Sequence, residues 1–245
     1  MSNLDEANFD ATATYCSPAA NCSPAAQDYI RAIHQLGAQQ DGRVTTSALA
    51  ERLGVRPASV TAMLQKMAAA APALVDYHKS HGARLTPEGE TAALRVARCH
   101  RLLELYLHDK LGYGWDEVHA EADRLEHVVS AAMTERLAAA LDHPTHDPHG
   151  HAIPAADLSY DPPAGRPLPE LAAGEAATVQ YVTDDDPAVL RALAATGLRP
   201  GATVVIARRD AARLWTAVNG HEPLALDTAA AHHVYVNQPE QTPSH

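Results

Sequence analysis

Apolar residues Tyr29, Ile30, Ile33 and Leu36 recur at helical spacing, and Gly37 with Asp41-Gly42 closes the run, so a first helix is predicted from Ala26. Thr45-Thr46-Ser47 then offers N-caps for a helix from Ala48 to Leu53, Gly54 breaks the chain, and Arg56-Pro57 before Ala58-Ser59 opens another helix through Met67. Ala73 to Tyr77 and Ala83 to Thr86 flank the polar turn His78-Lys79-Ser80-His81-Gly82, the pattern of a hairpin. Helix, helix-turn-helix and hairpin in this order describe a winged helix. Thr86-Pro87-Glu88, with threonine as cap and proline at the first helical position, starts a long helix that Leu111-Gly112 stops. Trp115-Asp116 starts another, reaching to about Leu141. Its Val118, Leu125, Val129, Met133 and Leu137 exceed what one partner within the chain need cover, which predicts a homodimer joined there.

Periodicity fades from 142 to 170, where Pro and His accumulate, and this stretch reads as a linker or irregular connection. Short apolar stretches then return at Ala177 to Val182, Thr203 to Ala207, Leu214 to Val218 and Val234 to Val236, with turn signals at Arg199-Pro200-Gly201 and Asn219-Gly220. A small β-barrel of about 70 residues closes the chain. The fold class is therefore mainly α with a small β part. Its expected boundaries are a disordered polar tail at 1–24, a winged-helix DNA-binding domain at 25–90, a helical domain at 91–152, a linker at 153–170 and the barrel at 171–238.

Length agrees, since 245 residues exceed what one small core organises. Composition complicates the DNA reading, because a formal net charge of −11 opposes phosphate binding. Between Ala25 and Glu90, however, seven basic residues (Arg31, Arg43, Arg52, Arg56, Lys66, Lys79, Arg84) meet six acids (Asp28, Asp41, Glu51, Asp76, Glu88, Glu90), so the acidity sits elsewhere. Cys16, Cys22 and Cys99 form no CxxC pair and no even framework, the N-terminus lacks a secretory pattern, and no apolar run approaches the ~20 residues of a membrane helix. A reduced, cytoplasmic protein without a membrane partner is expected.

Candidate chemistry lies on the two long helices. His119, Asp123, Glu126 and His127 share one stripe of a 3.6-residue helix, and His100 with Glu104, four apart, mark the preceding one. Two antiparallel helices can aim these six side chains into one seam, and Asp28 on the first helix could complete it. A solvated polar stripe is the alternative. Against it, both stripes lack Lys, His-x3-Glu and His-x3-Asp recur on adjacent helices, and gathered carboxylates repel unless a cation joins them. A second candidate, His143, His146, His149 and His151, lies between prolines without a rigid element and reads as a structured loop. Cys99 is taken as a packing residue, because its neighbour His100 points about 100° away.

These residues resemble the diphtheria-toxin-repressor family of metal-dependent transcriptional regulators, most closely its manganese-sensing, three-domain form with a C-terminal SH3-like domain. The resemblance covers residues 26 to 238. It rests on Asp28-Tyr29-Ile30-Arg31-Ala32-Ile33, Leu49-Ala50-Glu51-Arg52-Leu53 before Ser59-Val60-Thr61, Leu85-Thr86-Pro87-Glu88-Gly89, His100-Arg101-Leu102-Leu103-Glu104, Leu125-Glu126-His127 and His146-Asp147-Pro148-His149-Gly150. It implies a primary metal site at Asp28, Asp123, Glu126 and His127 and an ancillary site at His100, Glu104 and His119. Asp186 would be lent from the SH3-like domain, while Val189 falls where a Gln ligand is expected. Arg31 stands where two-domain manganese sensors have a bridging Glu, so their binuclear pair is not expected.

The implied function is a manganese-dependent regulator, repressing metal uptake by dimeric binding to an inverted-repeat, double-stranded operator. Arg56, Pro57, Ser59, Thr61, Gln65 and Lys66 would face DNA, with His78, Lys79 and Arg84 of the wing on phosphates. Asp28 and Asp123 stand where the resemblance places a Met and a Cys in iron sensors, and carboxylates suit the harder Mn²⁺. Fe²⁺ is the alternative, with Zn²⁺, Co²⁺ or Cd²⁺ substituting in vitro, and no organic cofactor is expected. Of other classes, an enzyme is not expected, since HExxH is absent and no spare base stands out. A metalloprotein without DNA binding would leave the winged helix unexplained.

Overall fold

The computed structural model describes residues 22–37, 42–162, 164–183 and 186–237. Of the tail expected at 1–24, residues 1–21, with Cys16, lie outside these, as does the turn residue Asp41, while Cys22 is buried and the first helix already begins at Pro24. The chain divides into two compact units, one formed by residues up to 99 with 125–140, the other by 100–124 with 141–245.

In the first unit, α1 spans Pro24–Gly37, two residues earlier than expected, and buries Tyr29, Ile30 and Ile33. Helix α2 (Thr46–Leu53) starts on Thr45, whose hydroxyl accepts from the Ala48 amide at 3.1 Å, and ends on Gly54 at φ 63°. Helix α3 (Pro57–Ala68) begins on Arg56 with proline in its first turn and buries Val60, Leu64 and Met67. That spacing turns the rest of α3 outward. Strands β1 (Val75–His78) and β2 (Gly82–Leu85) pair antiparallel, and Val44 bridges to Ala83. The expected winged helix is present, packed around one apolar core that includes Ile30, Leu49, Leu64 and Ala92.

Helix α4 (Pro87–Leu111) opens as anticipated, with the Thr86 hydroxyl accepting from the Gly89 amide at 3.1 Å. Gly89 is required by close approach, since a Cβ there would lie 2.0 Å from the Leu74 carbonyl oxygen. Gly89→Ala should cost roughly 1–3 kcal/mol through overpacking, lowering the thermal midpoint. An unchanged melt would show that this approach is slack.

The single helix expected from 116 to 141 is two. Helix α5 runs Val118–Leu125 and α6 runs Ala131–Ala140, with the intervening turn ended by Ser130, whose hydroxyl accepts from the Met133 amide at 3.1 Å. Glu126 and His127 therefore leave the helical stripe. Of the side chains expected to join a partner, Val118 and Leu137 are already buried within the chain, while Met133 and, beside them, Val128 stay exposed. No helix of the described residues is long and apolar enough to cross a membrane.

In the second unit a six-stranded sheet runs in the order β3 (Arg166–Pro167), β8 (Val234–Val236), β4 (Ala176–Val182), β5 (Thr203–Arg209), β6 (Arg213–Val218), β7 (Leu224–Asp227). All pairings are antiparallel, with irregularities between Val179 and Tyr181 and between Ile206 and Arg208. Strand β3 lies inside the expected linker, and β7 and helix α7 (Pro187–Thr196) were not anticipated. Helix α8 (Thr228–Ala231) is a single turn. Trp115 enters this core beside Leu168, Leu190, Ile206 and Val236.

Candidate metal centre

Among the described residues, three groups of His, Asp and Glu bring ligand atoms within 4.8 Å of one another: Asp28, Glu126, His127; His100, His119, Asp123; and Glu104, Asp147, His149. The first belongs to the first unit. Asp28 projects from α1, and the turn after α5 presents Glu126, buried, and His127. His127 Nε2 stands 3.2 Å from Asp28 Oδ1 and 3.8 Å from Glu126 Oε1. Its Nδ1 lies 2.9 Å from the side-chain oxygen of buried Gln27, whose amide nitrogen donates to the Cys22 carbonyl at 3.4 Å. Gln27 thus accepts the Nδ1 proton and leaves Nε2 aimed at the two carboxylates, the support that metal-ligating histidines use. Arg31 NH1 donates to Glu126 Oε2 at 3.3 Å, so a protein cation occupies one side of the group.

The second unit holds a tighter arrangement. His100 Nε2, Glu104 Oε1 and His119 Nδ1 are mutually 3.0 Å apart. Protons cannot satisfy all three edges, because a ring nitrogen carries either one proton or one lone pair. If both nitrogens donate to the carboxylate, their N–H groups oppose each other. If one accepts from the other, its lone pair faces the carboxylate. A divalent cation accepts from all three. Cis ligands of an octahedral ion stand √2 bond lengths apart, so bonds of about 2.1 Å give edges of about 3.0 Å. The donor set and its spacing fit an octahedral metal.

Around this trio, Asp123 Oδ1 lies 3.4 Å from His100 Nδ1 and Oδ2 lies 3.5 Å from His119 Nε2. One carboxylate thereby faces the outward nitrogens of both rings, a carboxylate–histidine pairing that fixes tautomers. Burial alone would raise the Glu104 carboxyl, yet the charge and hydrogen bonds of His100, with those of His119 and His149, hold it well below the usual carboxylate range. Burial likewise opposes charging of His149, but Glu104 and Asp147 raise it above an ordinary histidine.

Several expectations change on this geometry. Asp123, expected beside Asp28, Glu126 and His127, instead groups with His100 and His119, because α5 ends at Leu125 and places Asp123 four residues after His119 on regular helix while Glu126 and His127 follow the break. Asp186 is not in any of the three groups; it is exposed, and its Oδ1 accepts from the Ala188 amide at 2.8 Å as the cap of α7. The loop holding His149, read from the sequence as a structured loop, is ordered by Asp147 and reaches Glu104. Gln27 and Asp147 were missed as site residues, and His149 was weighed only as part of a separate His-rich candidate. An acceptor one residue before Asp28 was the only sequence signal for Gln27.

For the nucleic-acid surface, Arg56, Pro57, Ser59, Gln65 and Lys66 are exposed on or beside α3, as are His78, Lys79 and Arg84 on the wing. Thr61 differs, since its hydroxyl donates back to the Pro57 carbonyl at 3.2 Å. Asp76 gathers Arg43 (2.9 Å), Arg84 (2.9 Å) and His78 (3.1 Å). Desolvation, the largest single influence, would raise its pKa, but the Arg84 hydrogen bond together with the charges of Arg43, Arg84 and His78 lowers it. This orders the wing but offsets part of its positive charge.

Comparison with known proteins matches three successive domains of the chain. Residues 21–83 match the iron dependent repressor N-terminal DNA binding domain, 86–155 the iron dependent repressor metal binding and dimerisation domain, and 166–238 the FeoA domain. The iron-dependent repressor IdeR of Mycobacterium leprae is 34% identical over 223 residues, covering 86% of this chain and 95% of its own. The diphtheria toxin repressor of Corynebacterium efficiens is 36% identical over 160 residues, 63% of this chain and 68% of its own. Among solved structures, a manganese-dependent transcriptional repressor in complex with manganese superposes with a TM-score of 0.78 at 37% identity, covering 86% of this chain and 98% of that one. ScaR with bound Zn²⁺ follows with a TM-score of 0.73 at 31% identity, covering 87% and 99%.

Proposed function

Because the chain belongs to the iron-dependent repressor family of metal-dependent transcriptional repressors, we propose that it is a manganese-activated repressor that binds an inverted-repeat operator as a homodimer in the cytoplasm. The observation that carries the metal reading is the trio His100, Glu104 and His119, whose mutual 3.0 Å contacts protons cannot satisfy. Asp28, Glu126 and His127 form the second, oxygen-rich centre, and this one has the means to control DNA binding. It joins α1 of the winged helix to the turn between α5 and α6. A bound divalent cation supplies charge that lets these carboxylates converge. The residues do the rest: Gln27 holds the His127 ring, Arg31 holds Glu126, and Asp28 transmits their position to α1.

Closing this link orders α1 against the turn before DNA arrives, so metal and DNA binding favour one another. Recognition then falls to exposed Arg56, Pro57, Ser59, Gln65 and Lys66, with Lys79, His78 and Arg84 on the backbone phosphates. Manganese is preferred over iron in this reading because two carboxylates and one imidazole make a hard donor set. The iron-dependent relatives keep Fe²⁺ as the second reading.

The test is a duplex selected from a random library by the Mn²⁺-loaded protein, then titrated with and without Mn²⁺, Fe²⁺ and Zn²⁺ at fixed salt. Metal-dependent binding to a palindromic sequence is expected. Sequence-independent binding, or none with any metal, contradicts the proposal. Light scattering of the Mn²⁺ form at micromolar concentration should give twice the 26.1 kDa of one chain. Exposed Val128 and Met133 would then lie in the interface, and a monomeric mass removes that geometry.

A further inference from the structure

We propose that His149 is the positioning residue through which the C-terminal β domain acts on the His100, Glu104, His119 centre, tuning its metal affinity. The proposal rests on the reading of that trio as a metal site. The His149 segment is where the described residues tie that centre to the β domain: the His149 side chain faces Glu104, and its backbone is bonded to β4.

His149 has the contacts for this role on three sides. Its side chain is 5% exposed, and Nδ1 lies 3.8 Å from Glu104 Oε2, the oxygen turned away from the two histidines. Its Nε2 lies 3.0 Å from the Trp115 carbonyl, which can only accept, so this nitrogen carries a proton and the ring orientation is fixed. The Trp115 indole lies tilted by 35° against the imidazole at 5.2 Å between centroids, and its Nε1 donates to the Pro148 carbonyl at 2.8 Å. Trp115 is itself part of the β-domain core.

The backbone of the same residue is tied to the sheet. The His149 carbonyl accepts from the Val182 amide of β4 at 2.9 Å. Next to it, Gly150 sits at φ 90° with no room for a side chain, since a Cβ would stand 2.2 Å from the Gln180 carbonyl oxygen. Buried Asp147 completes the loop, its Oδ1 accepting from the amides of His149 at 2.8 Å and His151 at 3.0 Å. A shift of β4 therefore carries the imidazole with it, and the imidazole sets the rotation of Glu104 and the aim of Oε1. Supporting groups of this kind typically change metal affinity 10–100-fold when removed.

The experiment uses the full chain carrying His127→Ala, which silences the other centre, titrated with Co²⁺ and read by heat and by visible absorption. His149→Asn keeps a polar group beside Glu104, whereas His149→Gln keeps the Trp115 contact and withdraws the group beside Glu104. The Gln variant should bind Co²⁺ about tenfold or more weakly with an altered absorption envelope, and the Asn variant should stay near the parent. Gly150→Ala, which touches no ligand, should shift affinity in the same direction as Gln. Equal affinities and spectra for parent, Gln and Gly150→Ala would overturn the proposal, as would losses that merely follow the metal-free melting temperatures. His100→Ala in the same background is the control. If it too binds Co²⁺ unchanged, the metal site itself is absent and the proposal goes with it, an outcome distinct from a failure of His149 alone.

Discussion

Replacing His127 by alanine should leave operator binding insensitive to manganese, a loss on the order of 100-fold in metal activation, the upper range of coupling between two sites. His127 meets both carboxylates of its centre through Nε2, at 3.2 Å from Asp28 and 3.8 Å from Glu126, so its removal deletes the one nitrogen donor and the link between α1 and the turn after α5. Glu126→Ala should act alike, and it would also release Arg31 from its 3.3 Å contact. Gln27→Leu should be milder. The ligand remains, but nothing fixes its ring, and a 10–100-fold weaker metal response is expected. Anisotropy titrations of labelled operator against Mn²⁺ separate these grades. Retained manganese dependence in the His127→Ala variant would show that this centre does not control DNA binding, leaving His100, Glu104 and His119 as the controlling site.

The gradation between ligand and support also marks what the sequence could convey. Caps and glycines announced α1 to α4 and the wing because each signal acts within a few residues: Thr45 before Ala48, Gly54 in the left-handed region, and Thr86-Pro87 at the head of α4. The break between α5 and α6 lacks Pro or Gly, and only Ser130 hints at it. Helix α7 carried local signals in Asp186-Pro187 and Gly197 that a reading focused on strands passed over. Strand β7 pairs along one side only, and β3 has two residues, too few to show alternation.

At the candidate site, ligand types at helical spacing singled out His100 with Glu104 and His119 with Asp123, since residues four apart share a helix face wherever the helix is regular. Spacing misplaced Asp123 relative to Glu126 and His127 because the helix stops between them. Gln27 and His149 act through atoms whose partners lie 100 and 45 positions away, His127 and Glu104, and no local pattern encodes such contacts.

That relocation of Asp123 sharpens the test of metal choice. In the sequence reading, oxygen replaces sulfur at both Asp28 and Asp123 relative to iron sensors, and exchanging both would shift preference toward Fe²⁺. With Asp123 facing His100 and His119, the double exchange would disturb two centres at once, so Asp28→Met is the informative variant. Asp28 contributes one of two carboxylates to its centre, and its Oδ1 stands 3.2 Å from His127 Nε2. A thioether there is neutral and soft. It removes the charge that a hard, weakly bound ion such as Mn²⁺ depends on, while Fe²⁺, higher in the Irving–Williams order, keeps more of its affinity from the imidazole. In anaerobic titrations read by operator binding, not by metal affinity, the parent should respond to Mn²⁺ at least as well as to Fe²⁺. The Asp28→Met variant should lose most of its Mn²⁺ response and retain more of its Fe²⁺ response, reversing the order. If both metals fall by the same factor, the carboxylate serves only to build the site, and selectivity must arise from the geometry that each metal imposes on α1.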